Sequence, residues 1–169
     1  MENHKKLSPK LSLLAASLPP TVPFVAPEMT ERATGKMFIA RLGANESSFG
    51  PSPKVEKAIA DACSEVFKYG DPDAYDLKQE LSKHWNIPAE NIIVGEGIDG
   101  LMGTLCRLML DQGDIVVTSN GAYPTFNYQV LGVGGVLEVV PYLNDFEDPD
   151  ALLSQAKLSG AKMIYIANP

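Results

Sequence analysis

The chain has 169 residues, of which 45% are apolar and 21% charged, a composition typical of a globular protein with one substantial core. Its formal charge of −7, with no local cluster of Lys and Arg, argues against nucleic acid and against anionic membrane surfaces as partners. No apolar run is long enough to span a bilayer.

The chain begins with a segment, residues 1–35, that is rich in Pro and Ser and lacks periodicity, so we expect an extended N-terminal arm. Its apolar stretch is interrupted by serines and ends at Pro19-Pro20, which favours an arm over a signal peptide. Cys63 and Cys106 fall within helical patterns, and we expect both to be small buried residues in a reducing cytoplasm. His and Cys spacings indicate no metal site.

Residues 36–90 form the second predicted region, which consists of small-domain or arm elements and helices. Ser52-Pro53 is typical of an N-cap followed by Pro at the first helical position. Apolar residues then recur at helical spacing to Gly70, and a second helix is predicted over 73–85.

Residues 91–169 alternate short apolar strands with helices, which predicts a mostly parallel sheet with helices on both faces and therefore an α/β fold. Since four such strands leave apolar surface uncovered, we expect this region to be the N-terminal part of a larger domain. The predicted strands are Ile92–Val94, Ile115–Thr118, Val136–Val140 and Met163–Ile166, and the helices between them include Tyr123–Leu131 and Asp150–Leu158.

A glycine-rich stretch, Gly95–Gly100, matches G-x-G-x-x-G between the first predicted strand and its helix. Backbone N–H groups and the helix dipole meet at such a turn, so it predicts a phosphate site, although a plain tight turn would also explain it. A dinucleotide site also requires an acid after the second strand, but that strand ends Thr118-Ser119-Asn120-Gly121.

Tyr123 follows the second predicted strand, and the carboxyl ends of neighbouring parallel strands share one crevice. We therefore expect its ring to stack on a flat ring whose phosphate lies on the glycine turn, a description that fits pyridoxal phosphate. The alternative is that Tyr123 is a packing residue.

Five motifs, in this order, resemble the N-terminal half of class I/II, fold-type-I, pyridoxal-phosphate aminotransferases, in particular the histidinol-phosphate branch. They cover roughly residues 38–169 and read LGANESSFGPSPKV, KYGDPDAYDLKQEL, ENIIVGEGIDG, GDIVVTSNGAYPTF and KMIYIANP. The resemblance implies that pyridoxal 5′-phosphate is the cofactor. It also implies that the full-length protein would be a cytoplasmic homodimer and an enzyme of amino-acid biosynthesis.

The resemblance also implies site residues. The backbone amides of Gly97, Ile98 and Asp99 would hold the cofactor phosphate, and many relatives have Ser or Ala at Ile98 and Glu at Gly100. Tyr123 would stack on the cofactor ring.

Two further residues are implied near the site. Tyr69 would reach across the dimer to the neighbour's cofactor phosphate, with an interface packing role as the alternative. Asn45 belongs to a loop that borders the substrate.

The implied activity is transfer of an amino group from histidinol phosphate or a similar amine to a 2-oxo acid such as 2-oxoglutarate. The Lys, Asp and Arg that serve this chemistry lie beyond Pro169 in the family, so no catalytic residue is expected in this segment and the chain alone is expected to be inactive. Two other functions remain open: a non-catalytic phosphate- or nucleotide-binding module, and a fold-type-I decarboxylase.

Overall fold

The computed structural model describes residues 10–20, 25–42 and 46–167 and divides into two compact units, residues 26–94 and residues 1–25 with 95–169. None of the helices in the described part of the chain has the length and apolar character needed to cross a bilayer. The helices are α1 (Leu13–Ser17), α2 (Pro27–Thr34), α3 (Pro53–Ala62), α4 (Tyr75–Trp85), α5 (Gly97–Met109), α6 (Pro124–Gly132) and α7 (Pro149–Ser159), and the strands are β1 (Ile115–Ser119), β2 (Val136–Val140) and β3 (Met163–Tyr165).

The sheet contains three parallel strands in the order β2-β1-β3. In the central strand β1, Val116 lies opposite Leu137 of β2 and Met163 of β3. Parallel neighbours require crossover connections, and α6 with α7 supplies them, so the α/β class expected from the sequence is confirmed.

Helices cover both faces of this sheet, and β1 contributes to both contacts because its successive side chains point to opposite sides. Val116 packs with Cys106, Phe126 and Val130 of α5 and α6. Val117 packs on the other face with Leu152 and Ala156 of α7 and with Val140 of β2.

The unit of residues 26–94 has helices with strong local signals but no buried residue among those described. Ser52 caps α3 as predicted, with its Oγ accepting from the Val55 amide, and Pro53 occupies the first helical position. The α4 helix is preceded by Asp71, whose carboxylate accepts from the amides of Asp73 (3.0 Å) and Tyr75 (2.8 Å). These bonds hold the pKa of the Asp71 carboxyl below its usual value.

The strand predicted over Ile92–Val94 is wrong. The backbone at Ile92 is extended, but the segment pairs with no strand among the described residues, and Ile93 is mostly exposed. Apolar and β-branched residues favour an extended backbone, but a strand forms only where a neighbour accepts its hydrogen bonds.

Three other expectations need correction. The arm of residues 1–35 is not wholly extended, because α1 and α2 lie within it, the first capped by Ser12 and the second started by Pro27 and ended by Gly35 at φ +68°. The α3 helix ends at Ala62 and a short 3₁₀ turn follows, rather than continuing to Gly70. Val66 and Phe67, which prompted the longer helix, are about four-fifths exposed, so no packing favours helix there.

Cys106 is buried as expected, whereas Cys63 is exposed.

Candidate functional site

The glycine-rich stretch forms a tight turn into α5. Gly97 has a φ of +71°, a left-handed conformation that residues with a Cβ adopt only at a cost. Its N–H donates to the Gly95 carbonyl at 2.9 Å, which closes the turn. This amide, predicted to hold a phosphate, is therefore already paired within the chain.

The N-terminus of α5 has no side-chain cap, since Glu96 at the N-cap position makes no capping hydrogen bond. By contrast, Ser52 caps α3 and Asp148 caps α7. The first amides of a helix have no partner within the helix, and the N–H groups of Ile98 and Asp99 make no hydrogen bond to any other described residue. Ile98 itself is 60% exposed.

Gly100 lies against Glu96 at the same helix start. A Cβ on Gly100 would come within 3.1 Å of the Glu96 Cβ, a closer approach than most such contacts. The glycine thus lets the Glu96 side chain lie over the first turn of the helix. No Lys or Arg occurs within Gly95–Gly100, so an anion held here would depend on backbone amides and the helix dipole.

Tyr123 joins this helix start. It is the residue before α6, directly after the turn that ends β1, and its hydroxyl donates to Asp99 Oδ1 at 3.1 Å. The two segments that we expected to share a crevice are therefore in contact. Tyr123 is 39% exposed, so its ring is accessible and is not buried in the core.

Around this contact lies a group of polar and aromatic side chains at the carboxyl end of the sheet. Tyr165 of β3 stacks on Phe126 of α6 with ring centroids 4.0 Å apart. Burial raises the pKa of the Tyr165 hydroxyl, and the proximity of Tyr123 and Glu147 raises it further. Glu147 itself accepts a hydrogen bond from the buried Ser119 hydroxyl at the end of β1.

The remaining predicted site residues lie elsewhere. Asn45 is outside the described residues. Tyr69 belongs to the unit of residues 26–94, where its side chain is fully exposed, so it is accessible to a partner. Its role stays a prediction.

Lys68 and Lys162, which flank two of the family-like motifs, are each engaged in an ion pair. Lys162 Nζ lies 2.7 Å from Asp114 Oδ2, and this contact raises the pKa of the lysine. Lys68 pairs with Glu65. A lysine that forms a Schiff base must lose its proton, so these ion pairs disfavour that role for both residues.

Several contacts at the site could not be predicted from the sequence. The sequence motif indicates a role for the Asp99 backbone amide, whereas in the structure the Asp99 carboxylate also accepts a hydrogen bond from Tyr123. Ser119 and Glu147 were not singled out, because 28 residues separate them and no local pattern links a buried serine with a loop carboxylate.

Comparison with known proteins gives consistent results. No family model matches the chain. The histidinol-phosphate aminotransferase of Methanosarcina barkeri is 35% identical over 133 residues, which are 78% of this chain and 36% of that protein. The histidinol-phosphate aminotransferase of Bdellovibrio bacteriovorus is 29% identical over 97% of this chain and 44% of its own length. The chain thus spans less than half the length of these curated relatives.

Solved structures agree in fold. The crystal structure of histidinol-phosphate aminotransferase from Sinorhizobium meliloti in complex with pyridoxal-5′-phosphate superposes with a TM-score of 0.89 and 48% identity, covering 97% of this chain and 44% of that one. An archaeal alanine:glyoxylate aminotransferase superposes with a TM-score of 0.65 at 22% identity, which supports the fold alone.

Proposed function

We propose that this chain, which belongs by sequence and fold to the fold-type-I aminotransferases, provides the phosphate-binding and ring-stacking part of a pyridoxal-phosphate site. The observation that supports this most directly is the contact between Tyr123 and Asp99 at the uncapped start of α5. It joins a partly exposed aromatic residue to a residue of the first turn of α5, and a phosphorylated aromatic ring would need both a stacking partner and helix-start amides.

The chain's own residues would each do one part of the binding. The amides of Ile98 and Asp99 would donate to phosphate oxygens, with the α5 dipole favouring the negative charge. Gly97 would allow close approach of the phosphate to the turn. The Tyr123 ring would stack on the cofactor, and its hydrogen bond to Asp99 would fix the ring plane. Pyridoxal phosphate, when bound, supplies the electron sink for amino transfer.

The finer assignments rest on the family resemblance of the sequence motifs. We propose histidinol phosphate or a similar amine as amino donor, a 2-oxo acid such as 2-oxoglutarate as acceptor, and a cytoplasmic homodimer in which Tyr69 contacts the partner's cofactor. Since Lys68 and Lys162 are held in ion pairs, we propose that neither is the Schiff-base lysine and that this chain alone does not transaminate.

The test is titration of the purified chain with pyridoxal phosphate and, in parallel, with pyridoxal, which lacks the phosphate. We expect pyridoxal to bind at least about tenfold more weakly, because a charge-assisted hydrogen bond contributes about 1.5–3 kcal/mol. Tyr123→Ala should weaken binding by about 2- to 12-fold, as expected for loss of a stacked aromatic pair of about 0.5–1.5 kcal/mol.

The matched control is Tyr123→Phe, which keeps the ring and loses only the bond to Asp99, so its affinity should fall between the wild type and Tyr123→Ala. Equal binding of pyridoxal and pyridoxal phosphate would contradict the phosphate site. Tighter binding of AMP than of pyridoxal phosphate would favour the nucleotide-binding module instead. A borohydride-trapped adduct on Lys68 or Lys162 would refute the proposal that neither forms a Schiff base.

A further inference from the structure

The loop between β2 and α7, residues 141–148, packs against the loop that carries Tyr123. It reverses direction in a tight turn where Leu143 and Phe146 pair and where Asn144 and Asp145 both have positive φ. Such paired left-handed residues fix a compact hairpin turn. The loop therefore presents its side chains in a defined direction.

One anchor of this loop is the Glu147 carboxylate. One of its oxygens accepts from the Ser119 hydroxyl, and Ser119 is only 1% exposed at the last position of β1. The other oxygen, Oε1, is buried with no hydrogen-bond partner among the described residues. A buried carboxylate costs free energy, so its contact with Ser119 is the bond that offsets this cost.

A second anchor is Tyr142, which lies against Gly121. Gly121 has a φ of +107°, and a Cβ there would lie 3.2 Å from Tyr142 Cε2. Gly121 is two residues before Tyr123, and the Asn120 amide next to it donates to the Val140 carbonyl at 2.7 Å. The segment 120–123 is thus held from one side by the end of β2 and the loop that follows it.

We propose that Glu147 and Ser119 are positioning residues that, through the packing of Tyr142 on Gly121, fix the segment 120–123 and hence the direction of the Tyr123 ring. This inference rests on the proposed function for its effect on cofactor binding. Neither residue needs to touch the cofactor. Their hydrogen bond acts by limiting the conformations of the loop that carries the stacking residue.

The experiment is a double-mutant cycle with Ser119→Ala, Glu147→Ala and the double variant, measured in two ways. Hydrogen exchange of the cofactor-free chain should show faster exchange in all three variants at the amides of Asn120 and Ala122, which donate to the carbonyls of Val140 and Ser119. Pyridoxal phosphate affinity should fall about 5- to 10-fold in each single variant, with no further loss in the double variant, because both changes break one bond.

Glu147→Gln is the conservative variant, since its amide oxygen still accepts from Ser119, and it should restore both exchange protection and affinity. Asp150→Ala, which removes an exposed carboxylate three residues away, is the matched control and should leave both unchanged. Unchanged protection of the Asn120 and Ala122 amides in Glu147→Ala, or additive losses in the double variant, would overturn the inference. If the wild type binds no cofactor, the proposed function fails, whereas the exchange cycle still decides the role of this pair.

Discussion

The two units of this chain are stabilised in different ways. The βα unit, residues 95–167, buries a core on both faces of its sheet, whereas no described residue of 26–94 is buried. In the latter unit the apolar faces of α3 and α4 are exposed, with Ile59 and Leu77 about half to three-fifths accessible. Its helices depend on local devices such as the Ser52 cap and the Asp71 carboxylate.

The two units differ in how far local sequence pattern predicts their structure. Caps and helical spacing are local, so they predict α3 and α4 whether or not an apolar face is covered. A strand or a site contact depends on residues far along the chain. The βα unit has such long-range contacts, and it is also the unit that carries the candidate site.

The largest expected difference between the units is in the cost of truncating a leucine. Leu152→Ala, at a fully buried position of α7, should lower the free energy of unfolding by about 2–5 kcal/mol, because it leaves a cavity against Val117. Leu77→Ala, at a half-exposed position of α4, should cost about 1 kcal/mol or less. Urea unfolding measures both.

Two signals separate the units in that experiment. The single Trp, Trp85, ends α4 and reports on residues 26–94 by fluorescence, while circular dichroism follows the whole chain. Equal losses for the two variants would mean that residues 26–94 also bury Leu77 in solution, and the comparison would fail.

Most of the fold followed from local pattern. The bounds of β2 were predicted as observed, and those of α6, α7 and β1 to within one residue, because runs of apolar residues between turn signals define each element. Ile92–Val94 has the same pattern but forms no strand, because no described strand pairs with it. Sequence pattern cannot reveal whether such a neighbour is present. Cys63 is exposed for a similar reason, because no described element packs over its side of the helix.

The candidate site was predicted in outline and missed in detail. The expectation that Tyr123 lies near the start of α5 rested on a parallel strand over 92–94, which does not form, yet Tyr123 does contact Asp99. Which atoms meet depends on side-chain conformation, so the bonds of Asp99 to Tyr123 and of Glu147 to Ser119 could not be derived from spacing.

A smaller effect is expected at the turn into α5. Gly97→Ala should lower stability by about 1–2 kcal/mol, because a Cβ is disfavoured at φ +71°, although nothing lies within 4 Å of the added atom. If the turn shifts to relieve this strain, pyridoxal phosphate affinity should fall as well. Gly132→Ala is the control, since Gly132 has no positive φ and no close neighbour. Equal stability of the two variants in urea would show that the left-handed turn is not retained.

The smallest expected effect is the pH dependence of the hydrogen bonds that Asp71 accepts at the start of α4. Hydrogen bonds from the Tyr75 and Asp73 amides lower the pKa of Asp71 from its ordinary value of 3.8. The ionised form is thus the one favoured in the folded chain, so this contribution to α4 is present above pH 4 and is lost as pH falls through the lowered pKa. The Tyr75 amide resonance should shift with a midpoint below 3.8 in an NMR titration. Asp71→Asn should abolish that transition, whereas Asp73→Asn, which retains both amide donors, should preserve it. A midpoint at or above 3.8 would mean that the Asp71 carboxylate does not hold the start of α4, and the stability of this unit would then need a source other than local capping.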